Sequence, residues 1–239
     1  MTAATVPRVA AIYDVHGNLP ALDAVLAELE DELILVGGHV TVGPWPAAAL
    51  ERLRELGARA RFIRGNADRE LTELPKPERE AGPQAKVLGF VRAQLSSEQL
   101  DFLGGLPLTE SIEVEGLGEV LFCHATPRSD EELLTRISPD ERWQNALSGV
   151  RQGLVMCGHT HVQFDRRIGD IRVVNAGSVG MPYEHEPGAY WAMLGSDVEL
   201  RRTVYEPGDL ESSGWPEEWL SSTPEEATEY FERFSRERA

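Results

Sequence analysis

Positive charge is scarce in this chain. Across 239 residues, 23 Lys and Arg face 40 Asp and Glu, a net charge of −17. Non-specific nucleic-acid binding needs a basic patch, so duplex nucleic acid is not an expected partner. The same charge repels anionic ligands at long range. A site for anions would need its own local cation, for example metal ions. Cysteine is scarce too. Cys123 and Cys157 make no disulfide framework, and each ends an apolar run just before a histidine. They read as small buried thiols, with a reducing cytoplasm as the expected compartment. No apolar run approaches the ~20 residues that span a membrane, and no membrane partner is expected. Met1-Thr2-Ala3-Ala4-Thr5 lacks the charged and apolar regions of a secretion leader, and none is expected. The chain has no internal repeat and no clear domain boundary. With 41% apolar residues it can bury a sizeable core, so one domain over 1–239 is expected.

What the chain does have is a set of placed histidines. Of the six, His16, His39, His124, His159 and His161 each follow an apolar, strand-like run, in a turn rich in Gly or Asp; His185 does not. Gly158-His159-Thr160-His161, after Leu154-Val155-Met156-Cys157, is the focal stretch. Two imidazoles two residues apart at a strand end can face one side, and imidazole is the commonest protein metal ligand.

The surrounding pattern predicts an α/β sheet with crossover helices. Arg8–Tyr13 reads as a buried strand. Pro20 opens a helix with Leu22, Val25, Leu26 and Leu29 on one face. A strand over 33–36, a helix over 47–56 and a strand over 61–64 follow. Residues 72–83 are Pro-rich and charged and predict a loop or short helical excursion. Helices are expected near 84–95 and 97–103, the second capped by Ser96 with Gln99. Hairpins are expected over 108–122, 162–174 and 189–205. Further helix starts are read at Ser129 with Glu132 and at Ser138-Pro139 with Glu141. An acidic connector, 206–222, leads to a helix over 223–236, opened by Thr223-Pro224-Glu225-Glu226. Its Tyr230, Phe231 and Phe234 are expected to pack on the body. Trp45, Trp143 and Trp191 read as core or lid residues.

The ends of the apolar runs collect Asp14-x-His16, Gly38-His39, Gly65-Asn66-x-Asp68, His124 and Gly158-His159-x-His161. In α/β sheets, loops at the carboxyl ends of strands carry the site. Mixed imidazole and oxygen donors suit Mn, Fe or Zn better than Mg or Ca. About seven ligands are too many for one tetrahedral ion and suit two, about 3.5–4 Å apart.

These motifs, in this order, resemble the calcineurin-like metallophosphoesterases. Asn175-Ala176-Gly177-Ser178-Val179-Gly180 is similar to that family's Asn-Pro-Gly-Ser motif. The resemblance spans about residues 8–205 and is nearest the compact prokaryotic phosphodiesterases. It implies two facing mixed β-sheets flanked by helices, a four-layer α/β/β/α sandwich with two divalent metals at one edge. Asp14, His16 and His161 would hold one metal, and Asn66, His124 and His159 the other. The implied reaction is hydrolysis of a small phosphodiester or nucleotide-type substrate by a metal-activated hydroxide. His124 and Asn66 would be the catalytic residues. The chain departs from the family pattern twice. His39 stands where the family has a metal-bridging aspartate, so it is a metal-ligand candidate with a weakened second ion expected. A neutral imidazole has one free lone pair and cannot bridge two ions. Ala67 stands where many members carry a histidine for the leaving group.

Asn18, Arg64, Arg128 and Tyr183 are candidate substrate contacts. Arg69 and His185 are weaker ones, weighed against a turn former, exposed arginines and a plain surface loop. A homodimer is left open. Against the enzyme stands a second reading, a catalytically weakened relative that binds metal or nucleotide in regulation. The charge disfavours a third, a structural or nucleic-acid-binding module.

Overall fold

Two runs of three parallel strands, one extended by an antiparallel hairpin and the other by an antiparallel strand at each end, make two five-stranded sheets. The computed structural model describes residues 5–73, 83–215 and 222–237. Parts of the expected 72–83 loop and of the 206–222 connector therefore lie outside the described residues. The chain begins β1 (Val9–Ile12), α1 (Leu19–Leu26), β2 (Leu33–Val36), α2 (Pro46–Arg54), β3 (Ala60–Phe62), α3 (Asn66–Glu73), α4 (Pro83–Gln94) and α5 (Ser97–Gly104). It continues β4 (Thr109–Val114), β5 (Gly118–Cys123), α6 (Asp140–Ala146), β6 (Leu154–Cys157), β7 (Phe164–Ile168) and β8 (Ile171–Asn175). β9 (Ala189–Leu194), β10 (Val198–Thr203), α7 (Leu210–Ser213) and α8 (Pro224–Glu237) complete it.

The sheet orders are β10-β9-β1-β2-β3 and β4-β5-β6-β8-β7. Within them β1, β2 and β3 run parallel, as do β5, β6 and β8. The parallel strands are apolar on both faces because both faces are covered. Along β1, Val9, Ala11 and Tyr13 point between the sheets, while Ala10 and Ile12 point to the outer layer. The inner core adds Leu35, Ile63, Phe122, Met156 and Val174, and Tyr13 crosses it to donate its hydroxyl to the Met156 carbonyl at 3.1 Å. On the outer face of the first sheet lie helix residues such as Leu22, Leu50, Val91 and Leu103. On that of the second, Cys123, Val155 and Cys157 meet Trp143 of α6. Both thiols are buried, as expected. This is the expected four-layer sandwich. Edge strands β7 and β10 carry charge, Asp165, Arg166 and Arg167 on one and Glu199, Arg201 and Arg202 on the other, which discourages further strand pairing.

The structure differs from the sequence reading in three places. Helix α3 begins at Asn66, inside what reads as a turn, because Asp68 accepts from the amides of Gly65, His39 and Val40 and holds that corner closed. No helix starts at Ser129. Thr126 and Ser129 exchange backbone hydrogen bonds of 2.9 and 3.2 Å, and Ser129 Oγ accepts from Glu131 N at 3.1 Å. Glu132 is taken by Thr126 Oγ1 and Arg128 Nε at 3.0 and 2.9 Å. Local side-chain bonds of this kind compete with a helix. Third, α8 docks less by its aromatics than by Ala227, Thr228 and a buried Glu232, with Tyr230 half exposed. Thr135 Oγ1, at 2.7 Å, and Ser138 Oγ donate to Glu232, so a carboxylate is satisfied where an aromatic face is expected. The capping boxes at Ser96 and Thr223 both form. Among the described residues no helix is long and apolar enough to cross a membrane.

Candidate metal centre

The carboxyl ends of β1, β2, β5 and β6, two strands from each sheet, deliver their following loops to one place. Asp14 and His16 come from the loop after β1, His39 from that after β2, His124 from β5, and His159 and His161 from β6. The backbone there is unusual. Among the described residues, the non-glycine positions with positive φ are Asp14, His16, His39, His159 and His161, at 48–66°. Asp and His visit this left-handed region more readily than most residues, yet at a cost on the order of 1 kcal/mol each. Strain gathered on one set of side chains marks a functional site.

Three devices hold these loops. Asp68 brackets the His39 turn, with 2.8 Å bonds from His39 N and Gly65 N and a 3.1 Å bond from Val40 N. Asn175 donates Nδ2 to the Gly158 carbonyl at 2.6 Å and to Thr160 Oγ1 at 3.1 Å, and its Oδ1 accepts from Gly177 N at 2.8 Å. Ser178 Oγ donates to the Asp14 carbonyl at 2.8 Å. The Asn-Ala-Gly-Ser stretch thus ties together loops from both sheets. Gly158 is required by space, since a Cβ there would sit 2.6 Å from Asp14 Oδ2 and 2.5 Å from the Tyr13 ring.

The buried carboxylate of Asp14 is the hub. Its Oδ2 accepts from His159 N at 2.8 Å. Its Oδ1 faces His39 Nδ1 at 3.0 Å, His161 Nε2 at 3.2 Å, His16 Nε2 at 3.8 Å and His124 Nε2 at 4.0 Å, and accepts no hydrogen bond. Three imidazoles spend their Nδ1 protons elsewhere: His16 on Val42 O at 2.8 Å, His124 on Gly37 O at 2.7 Å, and His161 on Met181 O at 2.7 Å. Their Nε2 lone pairs therefore point inward. His16 Nε2 and His161 Nε2 stand 3.2 Å apart, and His124 Nε2 stands 3.1 Å from His159 Nδ1. With Nδ1 of both rings turned to carbonyls, the Nε2 atoms of the first pair and Asp14 Oδ1 converge on one point, as three acceptors when the rings are neutral. Such an arrangement repels itself unless a cation sits among the donors, so the residues fit a metal.

The donors form two groups. Asp14, His16, His39 and His161 make one, and His39, His124 and His159 the other, each within 4.8 Å. His39 belongs to both. Its Nε2 donates to Asn66 Oδ1 at 2.7 Å, which places Asn66 beside the second group. Burial shifts the ionisations first. It pushes His16 and His124 well below the ordinary histidine value and His159 down to about 3, so these remain neutral and ready to ligate. Burial would also discharge His39, but Asp14 and then Asp68 outweigh it and hold its pKa above the ordinary value. For Asp14, burial works toward a neutral acid, and positive charge or an N–H at the facing imidazoles, His161 foremost, reverses it and keeps the carboxylate ionised; neutral rings would not, and a cation among the donors would take over that part.

Of the substrate-contact candidates, Asn18, Arg64 and Arg128 are held by partners outside the donor groups, while Tyr183 lies against one of the donors. Asn18 caps α1, accepting from Ala21 N at 3.2 Å, and donates to Gly180 O and Tyr205 Oη at 3.0 and 2.9 Å. Every polar hydrogen of its amide is spent. Arg128 pairs with Glu132, its Nη1 also reaching Asn145 O at 3.1 Å. Arg64 and Arg69 share Asp130, at 3.2 and 3.0 Å. Tyr183 stacks on His161, with ring centroids 5.1 Å apart. His185 is exposed and lies 3.3 Å from Glu225, and Asp68 serves as a bracket away from the donor groups. Asp68 and the Asn175–Ser178 stretch stand out in the sequence as motif residues, but nothing local there shows that they brace the loops and do not join the donor groups.

A four-layer α/β/β/α sandwich with a buried imidazole–carboxylate cluster at its strand ends defines a class of folds able to hold metal between two sheets. Residues 8–197 match the calcineurin-like phosphoesterase superfamily domain, and the chain belongs to that family. It is 26% identical over 220 residues to an uncharacterized protein of Methanocaldococcus jannaschii, covering 83% of this chain and 88% of the relative. It is 26% identical over 166 residues to a symmetrical bis(5'-nucleosyl)-tetraphosphatase of a Shewanella species, covering 58% of this chain and 61% of that protein. Among solved structures, a metallophosphoesterase from Sphaerobacter thermophilus superposes with a TM-score of 0.71 at 24% identity, covering 95% of this chain and 99% of that one. A hypothetical protein from Pyrococcus horikoshii OT3 does so with a TM-score of 0.74 at 21% identity, over 88% and 94% of the two chains. Both have the same fold.

Proposed function

We propose that this chain is a metal-dependent phosphoesterase that hydrolyses a small phosphodiester or nucleotide-type substrate. The observation that carries the reading is the convergence of metal-capable donor atoms: Asp14 Oδ1 without a hydrogen bond, and the Nε2 atoms of His16 and His161 facing each other at 3.2 Å. Asp14, His16 and His161 would hold one divalent ion, and His124, His159 and Asn66 a second, with His39 within reach of both. Mn, Fe and Zn suit this donor set. When bound, such ions polarise phosphoryl oxygens and acidify a water enough to attack phosphorus at neutral pH.

The chain's own residues supply placement. Carbonyl partners of His16, His124 and His161 fix each tautomer, so each ring reaches the site as a lone pair and not as an N–H. Asp14 brings the one formal negative charge of the donor groups, at their centre. Asn66 offers a carboxamide oxygen at the rim, its Nδ2 held by Glu70 at 3.2 Å. Ala67 leaves no imidazole at the leaving-group position, so protonation of that group falls to solvent or to His39. The match to a protein named as a nucleosyl tetraphosphatase supports a nucleotide-type substrate.

The test is metal content and hydrolysis of a chromogenic phosphodiester with added Mn²⁺. Asp14→Asn should lower the rate at least about a hundredfold and release metal while the fold persists. Full metal content and full rate in that variant would end the reading.

One observation favours the alternative, a weakened relative that binds metal or nucleotide in regulation. His39 sits 3.0 Å from Asp14 Oδ1 and 2.7 Å from Asn66 Oδ1, and Asp14 raises its pKa, so it takes up a proton between the two donor groups more readily than the neighbouring histidines. A cation in that place competes with a second metal.

A further inference from the structure

His161 is supported differently from the other imidazoles. Its ring lies nearly parallel to that of Tyr183, at 23° and 5.1 Å between centroids. Its carbonyl accepts from Tyr183 N at 3.1 Å, and its Nδ1 donates to Met181 O at 2.7 Å. Among the described residues, Tyr183 is the one aromatic from outside the histidine cluster that contacts it. Tyr183 in turn meets Phe231 of α8 at 6.1 Å. Helix α8 is anchored nearby. Glu232 accepts from Thr135 and Ser138, with Arg142 Nη1 at 3.4 Å, and Glu225 pairs with Arg136 at 2.9 Å. The whole helix lies beyond residues 8–197, the segment matched to the family.

A hydrogen bond at Nδ1 fixes one point of an imidazole but leaves the ring able to rock about it. His161 also has a strained backbone, with φ at 56°. A flat ring stacked on its face removes the rocking, and a helix behind that ring keeps it in place. We propose that Tyr183 and Phe231 are positioning residues, through which α8 sets the plane of His161 and aims its Nε2 at the Asp14 side of the metal centre. The inference rests on the metal-site reading above. It makes the C-terminal helix, outside the family-matched segment, part of what determines metal affinity in the group that contains His161. The other group, on His124 and His159, has no ring contact to α8 among the described residues.

The test is calorimetric titration of Mn²⁺ into the metal-depleted full chain, alongside thermal unfolding. Tyr183→Ala and Phe231→Ala should weaken the His161 group by about tenfold, the size expected when support behind a ligand is lost, and leave the other group unchanged. Tyr183→Phe keeps the flat ring and should bind within about twofold of the parent, a rescue that a merely structural role would not distinguish. Should Tyr183→Ala fail to fold, Phe231→Ala decides, because that side chain is only partly buried. Parental Mn²⁺ affinity in folded Phe231→Ala would overturn the inference while leaving the metal centre intact. A parent chain that takes up no Mn²⁺ would overturn the metal reading and this inference with it.

Discussion

At the scale of single residues, His39 is where the family pattern and this chain diverge most. It belongs to both donor groups, and its Nδ1 lies 3.0 Å from Asp14 Oδ1. Replacing it by a carboxylate would add negative charge between two dications and remove a readily protonated ring from beside Asp14. His39→Asp should therefore raise Mn²⁺ occupancy and turnover, while the metal-free variant melts below the parent because two carboxylates then face each other. If the parent already holds two ions tightly and aspartate brings no gain in rate, His39 is a competent ligand and the regulatory reading loses its support. The neighbouring histidines set a pH dependence. Burial depresses His16 and His124, and takes His159 from 6.5 to about 3. Below pH 6.5 the unfolded chain takes up protons that these buried rings refuse, so stability present above 6.5 is lost as pH falls towards 3. Each such ring contributes a slope of up to about 1.4 kcal/mol per pH unit. His39, raised, acts oppositely and loses its contribution as pH rises through its folded value. Urea midpoints of the metal-free chain should fall between pH 6.5 and 4.5, and a flat profile there would show that the rings are solvated.

At the scale of elements, the site depends on short brackets between strand ends and helix starts. Asp68, in the first turn of α3, satisfies three backbone amides that belong to two loops. Asp68→Ala would leave these donors without partners, at about 3 kcal/mol or more in urea unfolding, and should also lower Mn²⁺ affinity because the His39 turn loosens. Asn18 makes a contrast. As a helix cap bonded to Gly180 and Tyr205, Asn18→Ala should cost about 1–2 kcal/mol with kcat/KM unchanged. A large rise in KM at unaltered stability would instead return Asn18 to substrate binding. The helix that fails at Ser129 belongs to the same scale. Its loop holds Asp130, which fixes Arg64 and Arg69.

At the scale of the whole molecule, two features meet: a net charge of −17 and, at the junction of two sheets, a metal-capable donor cluster proposed to act on an anionic ester. Long-range repulsion should slow the approach of a phosphodiester, so kcat/KM should rise with ionic strength up to about 0.15 M, where screening acts within about 8 Å. A rate that falls with salt would reveal local steering by groups such as Arg64. Much of this molecule was legible beforehand. Asp14, His16, His39, His124, His159 and His161 were all marked as strand-end residues, because apolar runs, turn residues and capping boxes are local signals carried by adjacent side chains. The α/β alternation and most element bounds follow from the same period. The sequence by itself thus determined the strands, the helices and the donors offered at their ends. Only the tertiary structure decided which nitrogen of each imidazole faces inward, that Asn18 and Arg128 are spent on caps and ion pairs, and that α8 rests on Tyr183 behind His161. Those outcomes depend on carbonyls, carboxylates and rings brought together from as far as 187 residues apart, as between Asn18 and Tyr205. No local pattern encodes such pairings, because their energy exists only once the two sheets have closed on each other.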